Sequence, residues 1–110
     1  MYQLEKAATL DLLGCIQMAK HDVSAARDNI QEALRIRVKI LNHISSNHPD
    51  IGRSYYHLGS LDSKSALFKD AQENFQRAEQ IFRSNFDRSH TLVADITKRL
   101  QDIGRRLEGN

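Results

Sequence analysis

A pattern of small and bulky residues that recurs after 45 positions constrains this chain more than any other feature. Its two copies are Leu13-Gly14, Ala26, Ile30, Ala33 and Leu58-Gly59, Ala71, Phe75, Ala78. Each glycine, alanine and bulky position of the first copy lies 45 positions before its counterpart. Because small residues return to small positions in one register, the pattern indicates an internal repeat of a structural unit.

Apolar residues recur every three or four positions in five segments, which is typical of amphipathic helices. In the first segment they are Leu4, Ala7, Ala8, Leu10, Leu13, Ile16 and Ala19, and in the fifth Leu92, Val93, Ile96, Leu100, Ile103 and Leu107. Asp22 is suited to cap the second helix, and Pro49 with Asp50 to begin the third. The connections are short, so we predict an all-α fold of antiparallel helix–turn–helix repeats. One domain spans 1–110, with unit one at about 4–44, unit two at about 49–86 and an extra helix at about 89–108.

Composition excludes several classes of protein. The chain has 110 residues, of which 40% are apolar and 27% charged, and its net charge is +2. This balance demands neither nucleic acid nor an anionic membrane as a partner. The single cysteine, Cys15, cannot form an internal disulfide, and no apolar run is long enough to span a membrane. We therefore expect a cytoplasmic protein without a membrane segment.

The repeated pattern resembles the tetratricopeptide repeat, a helix–turn–helix unit with a large residue, Leu-Gly, and then small, bulky and small residues. Leu10 and Tyr55 occupy the large position before the two Leu-Gly pairs. The segments 33–37 and 47–51 resemble the longer repeats of kinesin light chains and nephrocystin-like proteins. A weaker third copy begins at His90, 42 positions after His48. The resemblance implies a short right-handed superhelix of two full repeats plus one helix.

The chain departs from the family's pattern at two kinds of position. The turn glycine is replaced by His21 in unit one and by a residue near Ala66 in unit two. The aromatic position late in the first helix of each unit holds Gln17 and Asp62. On the family's pattern, these substitutions predict looser contacts at the turns.

No residue pattern indicates catalysis. His43 and His48 lie in a polar loop without a cysteine or carboxylate cluster to complete a metal site. The segment around Cys15 matches no catalytic signature, so a buried or groove-lining thiol is expected. The five glycines are scattered and form no phosphate loop. We predict a chain that is not an enzyme and needs no cofactor or metal.

The remaining charges have ordinary interpretations. Helical spacing points the carboxylates of Asp62, Asp70 and Glu73 in different directions, as expected for hydrated side chains. The basic residues that would form a patch are Arg35, Arg37, Lys39, Arg99, Arg105 and Arg106. Few aromatic residues are interleaved with them to stack on bases, and acidic neighbours dilute their field. Nucleic acid is therefore not an expected partner.

The family resemblance implies that the first helix of each unit lines a concave groove for a peptide. The helical wheel places these candidate binding residues in it: Asp11, Cys15, Met18, Arg53, Tyr56, Ser60, Ser63, Lys64, Asp95 and Lys98. An exposed aromatic ring, Tyr56, with two cations and two hydroxyls in unit two suits an extended or acidic peptide. An ordinary hydrated helix face is the alternative. The family's clamp for terminal carboxylates is not expected, because Leu12 and His57 replace its asparagine.

These features predict a protein-binding adaptor or scaffold whose partner is a peptide or protein segment. Two alternatives stay open. The last helix would keep an apolar stripe with no successor to cover it, which favours self-association into a homo-oligomer. The chain would otherwise be a fragment of a longer repeat array.

Overall fold

The computed structural model describes residues 2–109, and within this range it contains α-helices and no strand. The five helices are α1 (Tyr2–Ala19), α2 (Val23–Leu41), α3 (Pro49–Lys64), α4 (Phe68–Asn85) and α5 (Thr91–Glu108). Consecutive helices pack against each other, and α3 lies between α2 and α4. The predicted all-α arrangement of helical repeats is confirmed.

Side chains cap three of the helix starts. Asp22 accepts a hydrogen bond from the Ala25 backbone N–H at 3.4 Å, as predicted. His48 and His90 cap α3 and α5, and in each case the ring Nδ1 accepts from a backbone N–H at 3.1 Å. Pro49 occupies the first turn of α3, where the backbone N–H that proline lacks would have no partner within the helix. The two histidine caps lie 42 positions apart, which supports α5 as a third copy of the first helix.

The turns inside the two units have the same backbone geometry. His21 and Ala66, 45 positions apart, are the non-glycine residues with positive φ in the described range, at 66° and 60°. In each turn a backbone hydrogen bond joins residues five positions apart. Asp22 N donates to the Gln17 carbonyl at 2.9 Å, and Leu67 N donates to the Asp62 carbonyl at 2.8 Å. Both turns form without glycine, although the left-handed conformation costs a residue with a side chain roughly 1–2 kcal/mol.

Glycines in the first helices permit close contact with the second helices. A Cβ added to Gly14 would lie 2.5 Å from Cγ1 of Ile30, and one added to Gly59 would lie 2.7 Å from Cδ1 of Phe75. Phe75 belongs to the largest buried cluster, whose members are Ala71, Phe75, Ala78, Phe82, Val93, Ile96 and Ile103. The repeated small and bulky residues are therefore the helix contacts that the 45-residue pattern predicted.

The expectation of looser contacts at Gln17 and Asp62 is wrong, because hydrogen bonds replace the aromatic contact. Asn29 donates to Gln17 and Asn74 donates to Asp62, both at 2.8 Å. Asp62 is buried and also pairs with Arg27 at 2.8 Å, so the prediction of a hydrated carboxylate is wrong for this residue. Asp70 and Glu73 are exposed, as predicted.

The two ends of the helix stack differ from the predicted pattern of covered faces. In α1, Leu13 and Ile16 were expected to be packed but are exposed, because α2 covers only one side of this helix. In α5, Val93, Ile96 and Ile103 are buried against α4, so the prediction of an uncovered apolar stripe there is wrong. None of the helices described between residues 2 and 109 combines the length and the hydropathy needed to cross a membrane.

Candidate functional site

Hydrogen bonds between side chains join the first helices α1, α3 and α5 along one side of the molecule. His57 Nδ1 on α3 lies 3.0 Å from Asp11 Oδ2 on α1. The hydroxyl of Tyr56, also on α3, donates to Asp95 Oδ2 on α5 at 2.5 Å. His57 and Tyr56, which are adjacent on α3, thus bind residues of α1 and α5, respectively. We call the surface formed by these three helices the α1–α3–α5 face.

A buried ionic cluster lies beneath this face. Asp11 Oδ2 accepts from Nη1 of Arg37 at 2.8 Å, and the same Nη1 lies 2.8 Å from Ser54 Oγ. Both charged side chains are almost completely buried, and Asp11 Oδ1 has no hydrogen-bond partner among the described residues. Asp11 was predicted to line the groove, but it is buried and instead binds the ring of His57. Arg37 does not contribute to a surface patch of basic residues.

His57 carries a positive charge at neutral pH. Burial alone would lower the pKa of its ring, but the hydrogen bonds with Asp11 and Cys15 and the negative charge of Asp11 outweigh burial and raise the pKa to about 9. Burial likewise opposes the ionised form of Asp11, yet His57 and Arg37 together lower the pKa of this carboxyl. The protonated ring therefore acts as a partly exposed cation. It donates to Asp11 and has no free lone pair to act as a base.

Tyr56 is held between the core and α5. It is half-buried, with its ring centroid 5.9 Å from that of Phe75, and so is less exposed than predicted. The guanidinium carbon of Arg99 lies 5.1 Å from the ring centroid of Tyr56, and Arg99 Nε donates to Asp95 at 3.0 Å. Burial and the bond to Asp95 raise the pKa of Tyr56 to about 12. Tyr56 is thus a neutral donor that orients the carboxylate of Asp95.

The other predicted groove residues differ in exposure. Cys15, Met18, Ser60 and Ser63 are half-buried, whereas Arg53, Lys64 and Lys98 are exposed. Arg53 forms an exposed ion pair with Asp50, whose Oδ1 lies 3.7 Å from Nε. The structure thus brings together Asp11 with Cys15 through His57, and Tyr56 with Asp95. The side chains of Arg53, Lys64 and Lys98 remain exposed to solvent.

A small cavity of about 140 Å³ lies between α3, α4 and α5. Its polar lining consists of Ser63, Arg99, Asp102 and Arg106. Asp102 is already paired with Arg105, at 3.3 Å. The cavity therefore offers hydroxyl and guanidinium groups to an acidic group that enters it.

Three side chains on or below the face were not predicted to belong to the candidate site, namely Arg37, His57 and Arg99. Signals for two of them exist. Arg37 lies four positions after Ala33 and seven after Ile30, within the buried stripe of α2. Arg99 lies four positions after Asp95, the spacing of a helical ion pair. His57 has no such local signal, because its partner Asp11 lies on another helix.

The face has an excess of positive charge at neutral pH. Its carboxylates are buried, as in Asp11, or engaged by neighbours, as in Asp95 and Asp102. Its cations are Arg53, His57, Lys64, Lys98, Arg99 and Arg106. In the described residues no group of three His, Cys, Asp or Glu side chains is placed to hold a metal ion. In comparisons with known proteins, no family model and no curated protein matches this sequence.

Proposed function

We propose that this chain is a non-catalytic adaptor of the tetratricopeptide-repeat type that binds an acidic, extended peptide segment on the α1–α3–α5 face. The observation that carries the proposal is the charge of this face, on which cations outnumber carboxylates and Arg53, Lys64 and Lys98 are exposed. In the proposed arrangement, the face is the concave surface of the repeats. The single cysteine fits a reducing, cytoplasmic setting.

The duplicated geometry supports the assignment to this type of repeat. The helix contact at the Leu-Gly pair, the left-handed turn residue and the asparagine hydrogen bond each recur with the 45-residue offset. In such units the first helices lie side by side, which fits the bonds from α3 to both α1 and α5. We therefore assign ligand binding to residues of these helices.

Each part of the face has a defined role in the proposal. Arg53 and Lys98 are exposed on neighbouring first helices, so they contact acidic side chains at successive positions of the peptide. The guanidinium of Arg99 is already oriented by Asp95 and Tyr56, which lowers the entropy lost on binding. His57 adds a fixed positive charge that its bond to Asp11 maintains. Binding is consequently electrostatic in large part and weakens as salt screens these charges.

Charge reversal on and off the face tests the proposal. The probe is a fluorescein-labelled ten-residue peptide of alternating glutamate and serine, and its matched control replaces each glutamate by glutamine. We expect the chain to bind the acidic probe and not the control. The double variant Arg53→Glu, Lys98→Glu should weaken binding at least about tenfold.

The matched control variant is Lys20→Glu, Lys69→Glu, which changes net charge equally at two exposed positions outside the first helices. It should keep most of the affinity. Equal losses in the two double variants would show attraction to overall charge, and the proposed binding face would be wrong. Circular dichroism melts of both variants check that the fold is retained.

A further inference from the structure

The outer side of α1, away from α2, exposes apolar residues that are buried at the equivalent positions of α3. Leu13 and Ile16 are 42% and 46% exposed, whereas their counterparts 45 positions later, Leu58 and Leu61, are 5% and 0% exposed. The same contrast holds for Thr9, which is exposed, and its counterpart Ser54, which is buried. We call Thr9, Leu13 and Ile16 the α1 outer face.

The cause of the contrast identifies what fits this face. Helix α3 is covered on this side by α2, and α1 has no helix there in the described residues. The covering contacts include Arg37 on Ser54 Oγ at 2.8 Å and Leu41 packed with Ile51. Leu34 and Val38 pack against the same cluster, which contains Ile81 of α4 as well as Ile51 of α3. The element that covers α3 is therefore an amphipathic helix with apolar residues at Leu34, Val38 and Leu41.

The opposite end of the stack lacks such a face. The positions of α5 that correspond to the α4-facing side of α3 carry no large apolar residue: they are Ala94, Thr97, Gln101 and Gly104, of which Ala94 and Gln101 are exposed and the other two half-buried. In α3 the counterparts of Ala94 and Gln101 are Gly52 and Gly59, which lie against α4. A polar outer surface is the property of a capping helix in stacked repeats. One end of the stack is thus polar and the other is apolar.

We propose that the α1 outer face is a docking site for an amphipathic helix of another polypeptide segment, one that presents the kind of surface α2 presents to α3. Leu13 and Ile16 receive its apolar stripe, and Thr9 offers a hydroxyl where Ser54 meets Arg37. A second copy of this chain fits less well, because its α2 and α4 already bury their stripes between neighbouring first helices. This site lies on a different surface from the proposed peptide site and does not depend on it.

A synthetic peptide with the sequence of residues 22–44 tests the proposal directly. The peptide, labelled with fluorescein, is titrated with the full chain and followed by fluorescence anisotropy. We expect saturable binding, and we expect the double variant Leu13→Asp, Ile16→Asp to weaken it at least about tenfold. The control Ile44→Asp changes another exposed apolar residue of the chain and should leave the affinity unchanged.

A peptide carrying Leu34→Asp and Val38→Asp should not bind, although it retains the alanine positions that contact α1 inside unit one. This result separates docking on the outer face from replacement of the chain's own α2. Absence of binding to the unaltered chain, or equal binding by the Leu13→Asp, Ile16→Asp variant, would overturn the proposal. The milder pair Leu13→Ser, Ile16→Ser should also lose affinity, and it decides the outcome if the aspartates reduce helix content.

Light scattering of the chain without peptide tests the alternative that a second copy of the chain covers the α1 outer face. A monomer is expected. A dimer that dissociates in the Leu13→Asp, Ile16→Asp variant would assign the face to a second copy and overturn the proposed partner.

Discussion

Asn74 donates a hydrogen bond of 2.8 Å to the buried carboxylate of Asp62, at the position where the repeat pattern calls for an aromatic residue. Asn29 and Gln17 form the equivalent bond, 45 positions earlier and also at 2.8 Å. The two units therefore share a polar contact as well as their apolar pattern. In unit two the carboxylate of Asp62 also forms an ion pair with Arg27 of the preceding unit.

Substitution of these asparagines should affect the two units differently. Asn74→Ala removes one partner of a buried carboxylate, so we expect it to lower the free energy of unfolding by about 1–3 kcal/mol. Asn29→Ala removes a bond to a neutral, half-buried amide, so the expected loss is about 0.5–1.5 kcal/mol. Urea unfolding of both variants measures the difference. A larger loss for Asn29→Ala would contradict this account of Asp62.

Gly59 should not tolerate alanine. The added Cβ would lie within 3 Å of the Phe75 ring, so the helices or the ring must shift, and we expect a loss of about 1–3 kcal/mol in the free energy of unfolding. Gly104 in α5 is the matched control, because a Cβ there meets nothing within 4 Å. Gly104→Ala should raise the unfolding free energy by about 0.5–1 kcal/mol through helix propensity. Thermal melts in which both variants change alike would be inconsistent with a close helix contact at Gly59.

Glycine at the left-handed turn positions should stabilise the fold. Ala66 and His21 adopt positive φ with side chains attached, which costs roughly 1–2 kcal/mol each. Part of this gain is offset by the greater freedom of glycine in the unfolded chain. We expect Ala66→Gly and His21→Gly each to raise the midpoint of urea unfolding. If both midpoints fall, the left-handed conformation is not a source of strain in these turns.

Stability should decline at alkaline pH through His57. Its pKa rises from an ordinary value of 6.5 to about 9 in the folded chain, so the folded state holds this proton more tightly than the unfolded state. The contribution is fully present below pH 6.5 and is lost as the pH rises through 9. Urea unfolding from pH 6 to 10 should show this decline, and His57→Gln should flatten it. His43→Gln, in an exposed loop position, is the control and should retain the decline.

Local spacing predicted the helices and their contacts because a buried helix face needs apolar residues every three or four positions, whatever lies opposite. It did not predict which faces are covered. Leu13 and Leu58 are the same residue at equivalent positions, yet only Leu58 is buried, because α2 precedes α3 in the stack. That difference depends on neighbours in space and has no trace in the residue itself.

The same limit applies to the candidate site. The helical wheel placed Asp11 and Tyr56 on the α1–α3–α5 face, but it could not show that each is held by a residue of another helix. Arg37 is counted as a surface cation when charge alone is considered, and its burial follows from the partners Asp11 and Ser54. Pairing across helices thus decides which charges remain available to a partner.

The most direct measurement of the proposed binding face is a nuclear magnetic resonance titration of the isotopically labelled chain with the glutamate–serine peptide. We expect backbone amide shifts to change around Arg53, Tyr56 and Lys98, on α3 and α5, while exposed residues of α2 and α4 are unaffected. The changes should diminish as salt is raised, because the contacts are ionic. Shifts concentrated on α2 and α4, or none at all, would contradict the proposal that the α1–α3–α5 face binds acidic peptides.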